Sequence, residues 1–383
     1  MVTAMNNVNE TVARNLRDLR KSLHLTQSNL ADLIGYSVKT VSKWESGGSI
    51  PPSAILPELA MALKTDINCL FREVEQPMYY LGIDGGGTKT DFVLANKEGK
   101  LLKRVTLNSA NPFDVGEENA FRVLRDGIYQ VCSEIPFSQI SVYAGVAGGG
   151  AGDYPQKIEE FLKGFRFARA RNGNDVSECI TLGLGDRDGI VVILGTGSIA
   201  YTQYQGTVGK TGGFGYMLGD EGGGYAIGRD MLRAVLEAEE GYGEKTMLLD
   251  SVRKACGTKT VAENISRFYQ GGKKQIASYA PLVFEAWQAG DAVGRRILED
   301  NMRAVAEMIL HAGSRFPSGA QVPVVLFGSI TKDEAVILPL INAHLAAESK
   351  AGPTYHLSVC AEPVYMGALL LAGLPVIEGD KHA

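Results

Sequence analysis

With 383 residues, 45% of them hydrophobic and 21% charged, and a formal net charge of -5, the chain has the composition of a globular protein with several cores; disorder, low complexity and bulk polyanion binding are excluded. The N-terminus MVTAMNNVNE lacks a basic start before an apolar run, and no stretch approaches the about 18 apolar residues of a membrane span, so a cytoplasmic protein without a membrane partner is expected. The cysteines Cys69, Cys132, Cys179, Cys256 and Cys360 form no CxxC pair; neither a zinc site nor a disulfide framework is written, and they read as buried small hydrophobes.

Val12, Leu16, Leu19 and Leu23 recur at three- and four-residue steps, one face of an amphipathic helix. Thr26 is placed to cap a second helix that ends at Gly35, and Ser37 to cap a third over 38–45. A short glycine-containing turn between two short helices is the geometry that offers the second of them to a DNA major groove. The run TQSNLADLIGYSVKTVSKWESGGSIPP, with further helices over 55–63 and 66–71, resembles the lambda-repressor/Cro-like (XRE) helix-turn-helix family. By that resemblance Gln27, Ser37, Lys39, Thr40 and Lys43 are the candidate DNA contacts, Trp44 is core, and a homodimer on a palindromic operator is the expected partner arrangement. Charge adds modest support: Arg14, Arg17, Arg20, Lys21, Lys39 and Lys43 outweigh Glu10, Asp18 and Asp32 within residues 1–43, a bias that the rest of the module cancels. A five-helix bundle used as a protein adaptor is the alternative reading. Residues 72–78, REVEQPM, close on Pro77 and mark a short linker.

Beyond it, residues 78–83, 90–95 and 101–107 read as strands. Between the first two lies Asp84-Gly85-Gly86-Gly87-Thr88-Lys89. Its glycines let backbone amides approach phosphates, Thr88 and Lys89 add a hydroxyl and a cation, and Asp84 can hold a metal ion through water. A tight hairpin would explain the same turn. The pattern recurs, however: strand 189–195 runs into Thr196-Gly197-Ser198 and a return strand over 199–205, which implies two similar lobes facing one cleft.

This duplication resembles the actin/hexokinase/heat-shock-70 superfamily, and its wording is similar to the BadF/BadG/BcrA/BcrD-type ATPases, which include N-acetylglucosamine kinases. The fold so implied is α/β: a two-lobed actin-like (RNase H-like, duplicated) ATPase domain behind an N-terminal all-α helix-turn-helix domain. The expected divisions are 1–76 for the DNA reader, 78–187 for the first lobe and 188–383 for the second, the C-terminal helix packing back on the first lobe. By the resemblance, Asp84, Gly85, Gly86, Gly87, Thr88 and Lys89 form the first phosphate motif, Gly195, Thr196, Gly197 and Ser198 the second, and Gly328-Ser329 closes the adenosine motif. ATP and Mg²⁺ are the implied cofactors, with Asp84 at the metal. Asn174-Asp175 matches the family's catalytic Asp, so Asp175 is the expected general base toward a sugar hydroxyl; a helix N-cap aspartate is the plainer explanation. In Gly219-Asp220-Glu221-Gly222, Asp220 is the expected sugar contact and Glu221 structural. Asn111, Gly148, Asn174 and Thr196 complete the expected substrate contacts, although an Asn111-Pro112 turn accounts for Asn111 almost as well. Ile199 stands where related kinases carry Asn, so the resemblance does not specify the acyl group.

No GxxxxGK[ST] occurs, the ROK cysteine-rich zinc motif is missing, and the cluster cysteines of the dehydratase-activator branch have no counterpart. His24, His311, His344, His356 and His382 fit no motif. The function so expected is a DNA-binding transcriptional regulator carrying an ATP-dependent amino-sugar kinase domain, the alternative being a regulator whose kinase fold only senses sugar or ATP.

Overall fold

The computed structural model describes residues 2–23, 25–71, 77–133, 135–348 and 352–375. The expected linker falls outside them over 72–76, as do His24, His382 and the Lys21 side chain. The chain divides into two compact units: the first takes the residues up to Met78 together with 135–140 and 166–168, and the second takes the rest. Among the described residues no helix is long and apolar enough to cross a membrane.

The first unit is built from helices α1 (Val2–Ser22), α2 (Gln27–Ile34), α3 (Val38–Glu45), α4 (Leu56–Ala62) and α5 (Ile67–Phe71). The apolar stripes of these short helices meet in one core of Leu16, Leu30, Val41, Trp44, Leu59 and Leu70. Thr26 and Asn29 cap α2 reciprocally: the Asn29 amide donates to the Thr26 hydroxyl at 3.0 Å, and the Thr26 amide donates to Asn29 Oδ1 at 3.0 Å. Gly35, at φ 70°, ends α2 in the left-handed conformation that glycine takes at least cost. The hydroxyl of Ser37 then accepts from the Thr40 amide at 3.2 Å to open α3. Asn15 Nδ2 donates to the carbonyls of Cys69 and Leu70, at 3.1 Å each, and so satisfies the end of α5.

The second unit holds two sheets of the same plan. One comprises β1 (Tyr79–Gly85), β2 (Lys89–Asn96), β3 (Leu101–Asn108), β4 (Ile140–Val146) and β5 (Arg169–Gly173); the other comprises β6 (Gly189–Leu194), β7 (Ser198–Tyr204), β8 (Thr207–Gly212), β9 (Gln321–Phe327) and β10 (Thr354–Val359). The strand orders are β3-β2-β1-β4-β5 and β8-β7-β6-β9-β10. In each, three consecutive strands form an antiparallel meander, and the last two run parallel to one another. The repeated strand, glycine turn and return strand of the sequence is therefore a duplicated fold, an α/β architecture in two lobes.

Helices α6 (Pro112–Val115), α7 (Glu117–Val131) and α8 (Tyr154–Lys163) belong to the first lobe. Helices α10 (Gly224–Glu240), α11 (Leu248–Cys256), α12 (Ile265–Ala277), α13 (Ala280–Gln288), α14 (Ala292–Gly313) and α15 (Glu334–Glu348) build the second. Two helices exchange between lobes. α9 (Asp175–Gly183) follows β5 but lays Val176, Cys179 and Ile180 against Val191, Val325 and Phe327 of the second sheet. α16 (Tyr365–Ala372) follows β10 but packs Ala368 and Leu369 against Tyr80 and Val93 of the first. They cross where Gly367 meets the Glu178 carbonyl; a Cβ on Gly367 would lie 2.2 Å from that oxygen. Only glycine permits so close a backbone approach. All five cysteines are free, but only Cys132, Cys179 and Cys256 are buried. Cys69 and Cys360 are half-buried, which corrects the expectation of burial: Cys69 lies on the exposed side of the five-residue α5, with its thiol on Asp66 Oδ2 at 3.2 Å.

Candidate functional site

The hairpin of β1 and β2 pairs Asp84 with Asp91 and Gly85 with Thr90, leaving Gly86, Gly87 and Thr88 as the turn. The turn is anchored from both sides. Ser109 Oγ donates to the Gly86 carbonyl at 3.0 Å, and the Ala147 amide donates to the Gly85 carbonyl at 2.6 Å. In a strand, side chains two residues apart share a face, so Lys89 reaches Asp91, its Nζ at 2.6 Å from Oδ2. Arg104 and Thr106 on β3 reach the other oxygen of the same buried carboxylate at 2.9 and 2.5 Å. Burial raises the Asp91 carboxyl, but hydrogen bonds from Lys89, Thr106 and Arg104 hold it below the ordinary range. The glycine-turn lysine is thus tied into a structural network.

Asp84, half-buried at the end of β1, has its carboxyl pushed up to about 6 by burial and by the charges of Asp91 and Asp175. Asp175 opens α9. The capping residue is Asn174, whose Oδ1 accepts from the Ser177 amide at 3.1 Å and from its hydroxyl at 2.8 Å. Asp175 therefore is not the N-cap. Burial raises its carboxyl, against the backbone N–H groups of Asp175 and Val176. Three residues on, one turn of the same face, stands Glu178. It is fully buried, with Oε1 packed where a side chain on Gly145 would begin. Burial and the charges of Asp84 and Asp175 push its carboxyl well above the ordinary range. Sequence reasoning passed over Glu178; its three-residue spacing from Asp175 was the available signal.

The second turn runs from Leu194 to its partner Ser198. The start of α10 holds it: the Gly224 amide donates to the Gly195 carbonyl at 2.8 Å and the Tyr225 amide to the Thr196 carbonyl at 2.9 Å. Ser198 Oγ is committed to the Glu221 carbonyl at 2.6 Å. Asp220, at φ 69°, packs its carboxylate against Gly197, where a Cβ would lie 2.2 Å from Oδ2. Burial raises the Asp220 carboxyl, while the Gly215 amide and the charges of Lys273 and Lys210 pull it down. Gly213 likewise leaves room for Ile199, whose Cδ1 lies 2.3 Å from where a Cβ on Gly213 would stand.

Asn111 caps α6, its Oδ1 accepting from the Phe113 amide at 3.0 Å and its Nδ2 donating to Asp114 Oδ2 at 2.9 Å. Gly148 lies directly against it, 2.7 Å separating Asn111 Oδ1 from a Cβ built there. The adenosine-type turn Gly328-Ser329 follows β9 at φ 110°, and Asp84, Lys89, Gly328, Ser329 and Tyr365 line one cavity. The first glycine turn and the adenosine-type turn thus meet at one cavity with Asp84, while Asp175 and the fully buried Glu178 lie close enough for their charges to act on one another and on Asp84. Asp220 gathers with the second turn, and Asn111 with Gly148.

In the first unit, Ser37, Lys39 and Lys43 are exposed and Thr40 half-exposed along α3. The Thr40 hydroxyl pairs with that of Ser37 at 2.8 Å. Gln27 instead donates to Glu45 Oε2 at 2.8 Å. Glu45 also takes Arg20 in two bonds, 2.6 and 2.9 Å, and its carbonyl accepts from Arg17. Trp44 is buried, in ring contact with Tyr36 at 5.2 Å.

Residues 81–372 match the model of the BadF/BadG/BcrA/BcrD ATPase family, and residues 16–68 match a helix-turn-helix model. The N-acetylmuramic acid/N-acetylglucosamine kinase of Clostridium acetobutylicum is 32% identical over 232 residues, covering 59% of this chain and 76% of that protein. The N-acetyl-D-glucosamine kinase of Dictyostelium discoideum is 31% identical over 248 residues, 60% of this chain and 77% of that protein. Among solved structures, a candidate N-acetylglucosamine kinase of Porphyromonas gingivalis superposes with a TM-score of 0.61 at 22% identity, covering 77% of this chain and 98% of that one. That last likeness carries the fold alone.

Proposed function

Because the chain belongs to the BadF/BadG/BcrA/BcrD ATPase family, we propose that its second unit is an ATP-dependent kinase of an N-acetylated amino sugar and that the whole chain is a transcriptional regulator. The observation that carries the kinase reading is the placement of Asp175: a carboxyl raised by burial, at the first turn of α9, electrostatically coupled to Asp84 beside the glycine turn. Phosphoryl transfer asks for positioning, for charge stabilisation and for a base near the attacking hydroxyl. Asp175 takes the proton of the sugar hydroxyl, and the backbone amides of the two glycine turns hold the phosphates. Asp220, Asn111, Gly148, Asn174 and Thr196 are the proposed sugar contacts. Gly328 and Ser329 seat the adenosine.

Mg²⁺ fits the site. Asp84 lines the cavity beside the glycine turn, and Asp175 is near enough for its charge to raise the Asp84 carboxyl; both offer oxygen donors only, which suits a hard cation. Among the described residues no group of three or more His, Cys, Asp or Glu could hold a metal ion; Mg²⁺ is usually bound through one or two carboxylates plus substrate phosphates. Asp84 would hold it, and the ion would neutralise phosphate charge.

For DNA, the exposed face of α3 with Ser37, Lys39, Thr40 and Lys43 is the proposed reading surface, used by a homodimer on a two-fold operator. Gln27 acts there by positioning Glu45 and α3 as much as by any contact of its own. The full chain incubated with MgATP and N-acetylglucosamine, N-acetylmuramic acid or glucosamine should yield a sugar phosphate detectable by ³¹P NMR. Sugar binding by calorimetry with no phosphorylated product on any sugar would contradict the kinase reading and leave a sugar sensor.

A further inference from the structure

Helix α12 is broken in its middle. Gly272 has φ 58° and ψ -156°, a conformation essentially confined to glycine, and it follows another glycine, Gly271. The break delivers Lys273, on the second lobe, to Asp114, on the first: Nζ lies 3.8 Å from Oδ1. Both side chains keep partial solvent access, at 42% and 35% of their full exposure. Asp114 is no ordinary surface acid. Its other oxygen is held by Asn111 Nδ2 at 2.9 Å and lies 3.6 Å from where a side chain on Gly87 would begin. Lys273 thus stands one carboxylate away from the first glycine turn, and its charge is felt by Asp220 beside the second. Lys210 also acts on Asp220, but its Nζ lies 3.2 Å from the Gly213 carbonyl, on the second-turn side. Lys89 and Arg104 are both bound to Asp91, and Lys332 follows the Gly328-Ser329 turn at the adenosine side of the cavity.

A kinase site with Asp84 and Asp175 beside the first turn and Asp220 beside the second needs a cation where negative charge gathers on the transferring group. Lysine suits the task as a compact charge with three donors on a flexible stem, able to exchange one oxygen partner for another.

We propose that Lys273 is a phosphate-contacting residue of the kinase reaction, exchanging its pairing with Asp114 for the γ-phosphate when nucleotide occupies the glycine turn. It rests on the kinase reading above. In the step it serves, the bond between the γ-phosphorus and the ADP oxygen breaks and a bond from that phosphorus to the sugar oxygen forms. The hydroxyl proton passes to Asp175, and Lys273 stays protonated throughout. The Gly271-Gly272 break supplies the freedom for the exchange.

The test compares the full-length wild type with Lys273→Met and Lys273→Arg, by calorimetric titration with ADP and with the non-transferable analogue AMPPNP, beside steady-state turnover. Wild type should bind AMPPNP more tightly than ADP. Lys273→Met should erase that preference and lower kcat on the order of 100-fold, with the sugar KM within about twofold of wild type. Lys273→Arg should recover most of both. A Lys273→Met protein that keeps the triphosphate preference, with kcat within about threefold of wild type, overturns the proposal, and so does a wild type that binds the two nucleotides equally. If the wild type phosphorylates no sugar, the kinase reading fails; the ADP and AMPPNP titrations still decide for or against Lys273.

Discussion

Replacing Glu45 by alanine should lower the stability of the first unit. The Glu45 side chain is 3% exposed and its partner Arg20 9%, so little solvent screening applies. Removing one partner of a buried pair leaves the other charge uncompensated, at a cost of about 3–5 kcal/mol. Arg20 keeps its bond to the Leu25 carbonyl at 2.5 Å, which places the loss near the lower end, about 3 kcal/mol. A unit of this size is stable by only about 4–10 kcal/mol, and 3 kcal/mol corresponds to a fall in Tm of about 12–24 °C. The chain contains two tryptophans, Trp44 in the first unit and Trp287 in the second. In a Trp287→Phe background, Trp44 fluorescence therefore follows the first unit alone. The pH dependence adds a sign. Burial raises the Glu45 carboxyl, yet the hydrogen bonds of Arg20 and Gln27 and the charges of Arg20 and Arg17 hold it below its ordinary value. A depressed carboxyl stabilises above its unfolded pKa, and that stability is lost as pH falls through the folded one. The Tm gap between wild type and variant should accordingly be full at neutral pH and close in acid. An unchanged Trp44 transition at pH 7, or a gap that widens in acid, would refute the reasoning.

Gly367→Ala sets a methyl 2.2 Å from the Glu178 carbonyl at the crossing of α9 and α16; the second unit should lose about 1–3 kcal/mol, read as an earlier Trp287 transition in a Trp44→Phe background. Gly197→Ala drives a methyl into the Asp220 carboxylate, 2.2 Å away. It should weaken both nucleotide and sugar binding in calorimetry, whereas Asp220→Ala alone should weaken sugar binding only. On the proposed DNA surface, Lys39→Ala and Lys43→Ala should each lower operator affinity and reduce the salt slope by about 1, measured by fluorescence anisotropy across a salt series. A slope unchanged in both variants would remove those lysines from the phosphate contacts.

The features legible in the sequence are those written locally. Thr26, Gly35 and Ser37 are capping residues whose chemistry acts within four positions, and each stands where it was read. The two glycine turns lie between strands because alternation and turn residues are local signals too; their repetition became a duplicated sheet plan. What could not be read is what the tertiary register decides. Lys89 remains a candidate phosphate cation at the rim of the cavity; what the sequence did not show is that Asp91, directly opposite Thr106 across β2 and β3, also gathers Lys89, Arg104 and Thr106 on one carboxylate. The bond from Gln27 to Glu45 spans 18 positions and the pair of Arg20 with Glu45 spans 25. Neither separation carries a periodic signal. Lys273 and Asp114 lie on different lobes, so only the folded cleft brings them together. Glu178 was partly within reach, since three-residue spacing puts it on the Asp175 face, but its burial depends on Gly145 of the neighbouring strand.

The central claim, that this unit transfers phosphate to an amino sugar with Asp175 as the base, is tested most directly by coupled ADP release with MgATP over a panel of hexoses and amino sugars, wild type beside Asp175→Asn. Sugar-dependent ADP release from the wild type on an N-acetylated amino sugar, falling by about 100-fold or more in the variant while sugar-induced thermal stabilisation survives, is the predicted result. Equal turnover by wild type and variant would contradict the assignment of the base, and sugar-independent release in both would contradict the kinase itself.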